Sequence, residues 1–110
     1  MNTTTLPSTR DPRPPLIVIT GFHLRRAVLG ILLVANGPMP LADIVDALRR
    51  AGYTTNPSLA KPPHGIIANL LDYQEGRGRV IRTARGEYTV VATAFSSSTK
   101  WRYRNWQRLT

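Results

Sequence analysis

The sequence predicts an α+β domain of three helices, a two-stranded β-hairpin and an extra C-terminal helix. Three observations lead there. Apolar residues recur at helical spacing in three segments separated by Pro and Gly. Residues 76–91, GRGRVIRTARGEYTVV, read as two short strands closed on an Arg-Gly turn. The chain then closes on serines 96–98 and TKWRYRNWQRL, the pattern of a capped helix.

The 110 residues have the length of one domain, which at this size buries roughly two thirds of its unfolded surface. Residues 1–15 combine Thr, Ser, Asp, Arg and four prolines with little apolar content, too little to offset the entropy of ordering. They are expected to form a disordered arm, on which Arg10 and Arg13 either touch phosphates or only solubilise. Residues 16–94 form the expected folded domain, and residues 95–110 a basic, aromatic C-terminal helix. No internal repeat occurs.

Within the domain, Leu16 to Ile19 read as a short strand or an apolar lead-in, with Thr20 as candidate N-cap. Helix one follows to Ala35. Phe22, Val28, Leu29, Ile31, Leu32 and Leu33 give it a wide apolar surface, with Arg25 and Arg26 on its wet side. Asn36-Gly37-Pro38 stops it with a left-handed residue and a breaker. Helix two opens at Pro40 and places Leu41, Ile44, Val45 and Leu48 at i, i+3, i+4 and i+7. Asp43 and Asp46 lie toward its positive end, Arg49 and Arg50 toward its negative end, and Gly52 is its C′ residue. Tyr53 to Lys61 lacks periodicity and reads as an exposed loop. Helix three runs from Pro62-Pro63 to Gln74 with Ile66, Ile67, Leu70 and Leu71 inward. The strands Arg79–Thr83 and Glu87–Ala92 follow, turning at Arg85-Gly86. Tyr88, Val90 and Ala92 share one face of the second strand, while the first alternates too weakly to assign.

Charge narrows the function. Fifteen basic against six acidic side chains give +9 and a sequence pI near 11.3, a field that attracts polyanions. Codon bias can account for Arg over Lys, but not for the scarcity of acids. There is no cysteine, which removes disulfides, thiolate nucleophiles and sulfur-ligated zinc. The longest apolar run, Ala27 to Ala35, is less than half the about twenty residues of a membrane-spanning helix. No secretory signal is legible at the N-terminus, so a cytoplasmic, nucleoid-associated location is expected.

In its order of helix, Gly-Pro-Met-Pro, helix, Pro-containing loop, helix and arginine hairpin, residues 22–92 resemble the winged helix-turn-helix superfamily. Within it they are most similar to small HARE-type domains. The matching residues are Ala27 and Leu29, Pro40-Leu41 with Ile44, Gly52, Lys61-Pro62, and Gly86-Glu87-Tyr88. The resemblance implies a three-helix core with a two-stranded wing, and double-stranded DNA as partner. By position, Lys61, His64 and Asn69 would face DNA from the third helix, and Arg77, Arg79, Arg82 and Arg85 from the wing. Asn suits bidentate recognition of adenine, Arg suits phosphate or guanine. The outer face of helix three carries no arginine and includes Asp72, which implies modest sequence reading.

The C-terminal segment interleaves Lys100, Arg102 and Arg104 with Trp101, Tyr103 and Trp106. Such a mixture stacks on bases and neutralises phosphates, or the tryptophans pack on the domain or across a homodimer. The charged hairpin has its own alternative, a solvated ribbon that resists edge-to-edge pairing. His23 and His64 are remote from each other, so no metal site is expected. The i,i+3 pairs Asp43/Asp46 and Asp72/Glu75 are explained by helix-end electrostatics and by pairing with Arg77 or Arg79. No nucleophile elbow or phosphate loop is present, and neither enzyme activity nor a cofactor is expected. Two functions remain: a small DNA-binding regulator or nucleoid-type factor, and a protein-interaction or dimerisation module docking an acidic partner.

Overall fold

The computed structural model describes residues 16–55 and 63–109. The expected arm and Lys61 lie outside these residues. The chain runs β1 (Ile17–Val18), α1 (Gly21–Ala35), β2 (Met39–Pro40), α2 (Leu41–Arg50), β3 (Tyr53–Thr54), α3 (Pro63–Gly76), β4 (Val80–Ala84), β5 (Glu87–Val90), a 3-10 turn (Ala92–Ala94), α4 (Ser97–Arg104) and α5 (Trp106–Leu109). It is an α+β fold.

α1 is the central element because its apolar residues surround it. Leu24 and Ala27 to Leu33 are all buried, and α2, α4, α5 and β5 contact it. Burying Leu29 and Leu32 contributes about 1.5–3 kcal/mol each. The helix ends at Asn36, whose φ of 53° carries its amide to the Leu32 carbonyl at 3.1 Å. α2 turns Ile44, Val45 and Leu48 inward, and α3 turns Ile67 and Leu71 inward, each at heptad-like spacing. Together with Val80 and Tyr88 from the sheet they make one core.

Two sheets organise the connections. β2, β5 and β4 form an antiparallel sheet in that order, with β5 central. Met39 pairs with Tyr88 and Pro40 with Glu87, and the Leu41 amide donates to the Gly86 carbonyl at 2.8 Å. Pro40 is therefore the N-cap of α2 and an edge-strand residue rather than the first residue of the helix. An edge strand tolerates its missing donor. The hairpin turns at Gly86, φ 71°, and a register shift between Arg82 and Ala84 leaves Thr83 bulged. The second strand stops at Val90, and Ala92 enters the 3-10 turn instead.

β1 and β3 pair in parallel, Ile17 with Tyr53 and Val18 with Thr54. Tyr53 and Thr54 are thus strand residues, and Thr55 is fully buried, where an exposed loop was expected. The partner strand lies far away in the chain and leaves no local pattern. α3 runs two residues past the expected Gln74 stop. Its last turn closes through the Arg79 amide on the Gln74 carbonyl at 3.0 Å, with Gly78 at φ 76°.

The C-terminal helix is two pieces. Ser96 caps α4, its hydroxyl accepting from the Thr99 amide at 3.2 Å, and Asn105 interrupts it with φ −102° and ψ 30°. That break turns Trp106 inward to 4% exposure while Trp101 remains 56% exposed. Trp106 rests on Tyr53, ring centroids 5.1 Å apart, and against Gly30 of α1. Packing thus claims Trp106 and not Trp101.

Candidate functional site

The arginines between residues 77 and 85 do not all stand free of other side chains. β4 alternates so that Val80 and Arg82 share the inward side, opposite Val90 and Tyr88 of β5. From there Arg82 reaches Asp72 of α3 at 3.0 Å and the Tyr88 hydroxyl at 3.3 Å. The Tyr88 hydroxyl, more than Asp72, raises the Arg82 pKa above its ordinary value. Arg79 donates to the Gln74 side-chain oxygen at 3.3 Å. Arg77 donates to the Tyr73 hydroxyl at 3.2 Å, one helical turn away.

Three of the four arginines between residues 77 and 85 therefore reach consecutive residues of α3, Asp72, Tyr73 and Gln74. The acid that pairs is Asp72, and its partner is Arg82 rather than Arg77 or Arg79. Both members are half exposed, so the bridge is worth at most about 1 kcal/mol, and a phosphate can compete for the guanidinium. Arg85 stands exposed at the hairpin tip with no hydrogen bond or ion pair among the described residues.

His64 and Asn69 are both exposed on α3. Lys61 falls outside the described residues. Lys100 is half buried, while Arg102 and Arg104 are exposed on α4, with Arg102 donating to the Thr99 hydroxyl at 3.4 Å. Among the described residues no hydrogen bond or ring contact joins these C-terminal cations to the hairpin. The structure brings α3 and the hairpin together; it leaves the tail as a separate group resting on α1.

Sequence reasoning missed a second basic group. Phe22, expected in the buried surface of the first helix, is 52% exposed, whereas Arg26, expected on its wet side, is 9% exposed. Both guanidinium carbons, of Arg25 and Arg26, lie 4.9 Å from the Phe22 ring centroid. Arg26 also lies 3.3 Å from His23 Nδ1. The Nε atoms of Arg25 and Arg26 are buried without a hydrogen-bond partner. No acid occupies the first turn of α1, so its positive helix end adds to the charge.

A further ring and cation stand at the end of α3. Tyr73 is 60% exposed, with the Arg77 guanidinium 5.9 Å from its ring centroid. The Tyr73 hydroxyl is held below its ordinary value of 10.0, first by the Arg77 hydrogen bond and then by the charges of Arg77, Arg25 and Arg79. The spacing Phe22, Arg25, Arg26 and the spacing Tyr73, Arg77 are the i,i+3 and i,i+4 signals that could have found it.

Among the described residues no group of His, Asp and Glu is placed to hold a metal ion. None of their helices is long and apolar enough to cross a membrane. No family model, curated protein or solved structure matches the chain.

Proposed function

We propose that this chain is a winged-helix protein that binds double-stranded DNA, acting as a transcriptional regulator or nucleoid-type factor in the cytoplasm. One observation carries the reading. The strand order β2-β5-β4, with β2 between the first two helices and the hairpin after the third, goes with an arginine-bearing strand, β4, that packs on α3. Arg82 on Asp72 ties the two into a single surface. α3 offers His64 and Asn69 to base edges, and Arg77, Arg79, Arg82 and Arg85 offer guanidinium groups to phosphates. Lys61 belongs to the same reading by its place before α3. Lys100, Arg102 and Arg104 extend it to phosphates farther along the duplex.

The absence of arginine from the outer face of α3 makes backbone contact the main source of affinity and sequence reading modest. With about five phosphates neutralised, log affinity falls against log salt with a slope of roughly −4 to −5. Replacing Arg79, Arg82 and Arg85 with Ala is expected to weaken binding to every duplex and flatten that slope by roughly 2 to 3. Fluorescence anisotropy across a salt series measures it, with R85A alone as the variant that leaves every described contact intact. An unchanged slope in the triple variant rejects the assignment.

A second reading, a module that docks another protein, is favoured by an open apolar groove of about 350 Å³ lined by Ile31, Val34, Met39, Ala47 and Trp106. Val34 is 65% exposed there. The tryptophan pair proposed for a dimer is divided, since Trp106 is buried within the chain and only Trp101 is free to meet a partner.

A further inference from the structure

We propose that the amino end of α1 is a phosphate-binding site, built from the Gly21, Phe22 and His23 amides and the guanidinium groups of Arg25 and Arg26. Its ligand is a phosphate group, free or carried as the monoester of a small molecule. The site goes beyond the duplex reading, which uses neither of these arginines.

Side chains on a helix lean toward its amino end, so residues 25 and 26, three and four positions after Phe22, return their head groups to the first turn. Both guanidinium carbons lie 4.9 Å from the Phe22 ring centroid, and Arg26 comes within 3.3 Å of His23 Nδ1. Arg26 is only 9% exposed. Its Nε is buried without a hydrogen-bond partner, as is that of Arg25. A guanidinium so far withdrawn from water ordinarily faces a carboxylate, because an unpaired buried ion is unfavourable. Among the described residues neither arginine has an ion pair; those present join Arg50 to Asp46 and Arg82 to Asp72. The Phe22 ring attracts both cations but brings no net negative charge.

The helix end lacks its usual partners as well. The first amides of any helix find no carbonyl within it. Thr20 holds the N-cap position of this 15-residue helix, yet its side chain makes no capping hydrogen bond and no acid stands in the first turn. Gly21 follows at φ 57°, a left-handed residue leading into right-handed helix, the alternation that turns successive amides into an anion-binding concavity. A Cβ on Gly21 would meet nothing within 4 Å, and Thr20 to His23 are all exposed, so a ligand has room to approach. Amides, helix dipole and two guanidinium groups thus gather within one turn of α1 with no carboxylate among the described residues to answer them. Two guanidinium charges match the near two negative charges of a phosphate monoester, whose three oxygens accept from amides and guanidinium forks together.

The test follows the amide resonances of the full ¹⁵N-labelled chain as inorganic phosphate is added at constant ionic strength. The Gly21, Phe22 and His23 amides are expected to shift together and to saturate. R25A and R26Q are each expected to weaken this binding about ten-fold, the loss of one charged hydrogen-bonding partner. T20D offers the same amides a carboxylate of the chain's own, so it is expected to raise the melting temperature while weakening phosphate binding by about the same factor. If R26Q loses cooperative melting, R25A and T20D carry the measurement. R85A, on the hairpin, is expected to leave phosphate binding within about two-fold, and R25A to leave duplex affinity within about two-fold. Phenyl phosphate that binds as phosphate does identifies the free anion as the ligand; tighter binding, through stacking on Phe22, identifies an aromatic monoester. Shifts that are absent from these amides or never saturate, weakening by R85A equal to that by R25A, or unchanged binding in R25A and T20D overturns the proposal. So does a fall in the duplex affinity of R25A as large as that of R79A/R82A/R85A, since the cation then serves the duplex surface.

Discussion

Arg77 and Tyr73 stand one turn apart at the end of α3, and their hydrogen bond sets the ionisation of the phenol. The Arg77 donor stabilises the phenolate, and the charges of Arg77, Arg25 and Arg79 act in the same direction. Tyr73 is therefore expected to ionise below 10.0, and R77A to move it back upward. A ¹³C-detected pH titration, with Y73F assigning the signal among the four tyrosines, reads the shift. A Tyr73 titration unmoved by R77A would show that the guanidinium is not held there. At this scale the sequence displayed the cations and rings but not their partners. Arg82 was legible as a hairpin residue, yet its bond to Asp72 depends on how β4 crosses α3. Arg26 was expected with Arg25 on the wet side of the helix, away from its apolar surface; its burial depends on how α1 packs in the fold.

Elements with strong local patterns formed as their residues dictated. α2 carries its apolar stripe, its dipole-matched charges and Gly52 at φ 97° after its end, so local and long-range preferences agree. The short strands had no such pattern. β2 and β3 are two residues each, and only their distant partners make them strands. The C-terminal pieces show the same dependence on a remote contact. A Cβ at Gly30 would meet the Tyr103 backbone and come within 2.6 Å of Trp106 Cδ1. Backbone cannot yield as a flexible side chain can, so G30A is expected to lower stability by about 1–3 kcal/mol and to push α4 and α5 off α1. Urea unfolding followed by tryptophan fluorescence checks this, with burial of Trp106 as the marker. An unchanged midpoint would mean that the C-terminal helices do not rest on the helix as described.

For the whole molecule, a net charge of +9 on one small domain sets the encounter with any polyanion, while the apolar groove beside Val34 and Trp106 is the surface suited to a protein. Sedimentation of the 12.2 kDa chain with and without duplex at physiological salt distinguishes their consequences. The chain is expected to travel with the duplex, and to be released as salt is raised and counterions compete. A dimer that ignores the duplex favours the docking module instead. The sequence by itself determined the three helices, the hairpin, the capped C-terminal segment and the excess of cations, because periodicity, caps, turns and charge are properties of neighbouring residues. Only the tertiary structure decided that β2 joins the hairpin, that Trp106 is buried while Trp101 is not, and that Arg26 is buried while Phe22 is exposed. Each of those depends on which distant segments meet and at what rotation, and burial across such a contact is collective rather than written in any one stretch of chain.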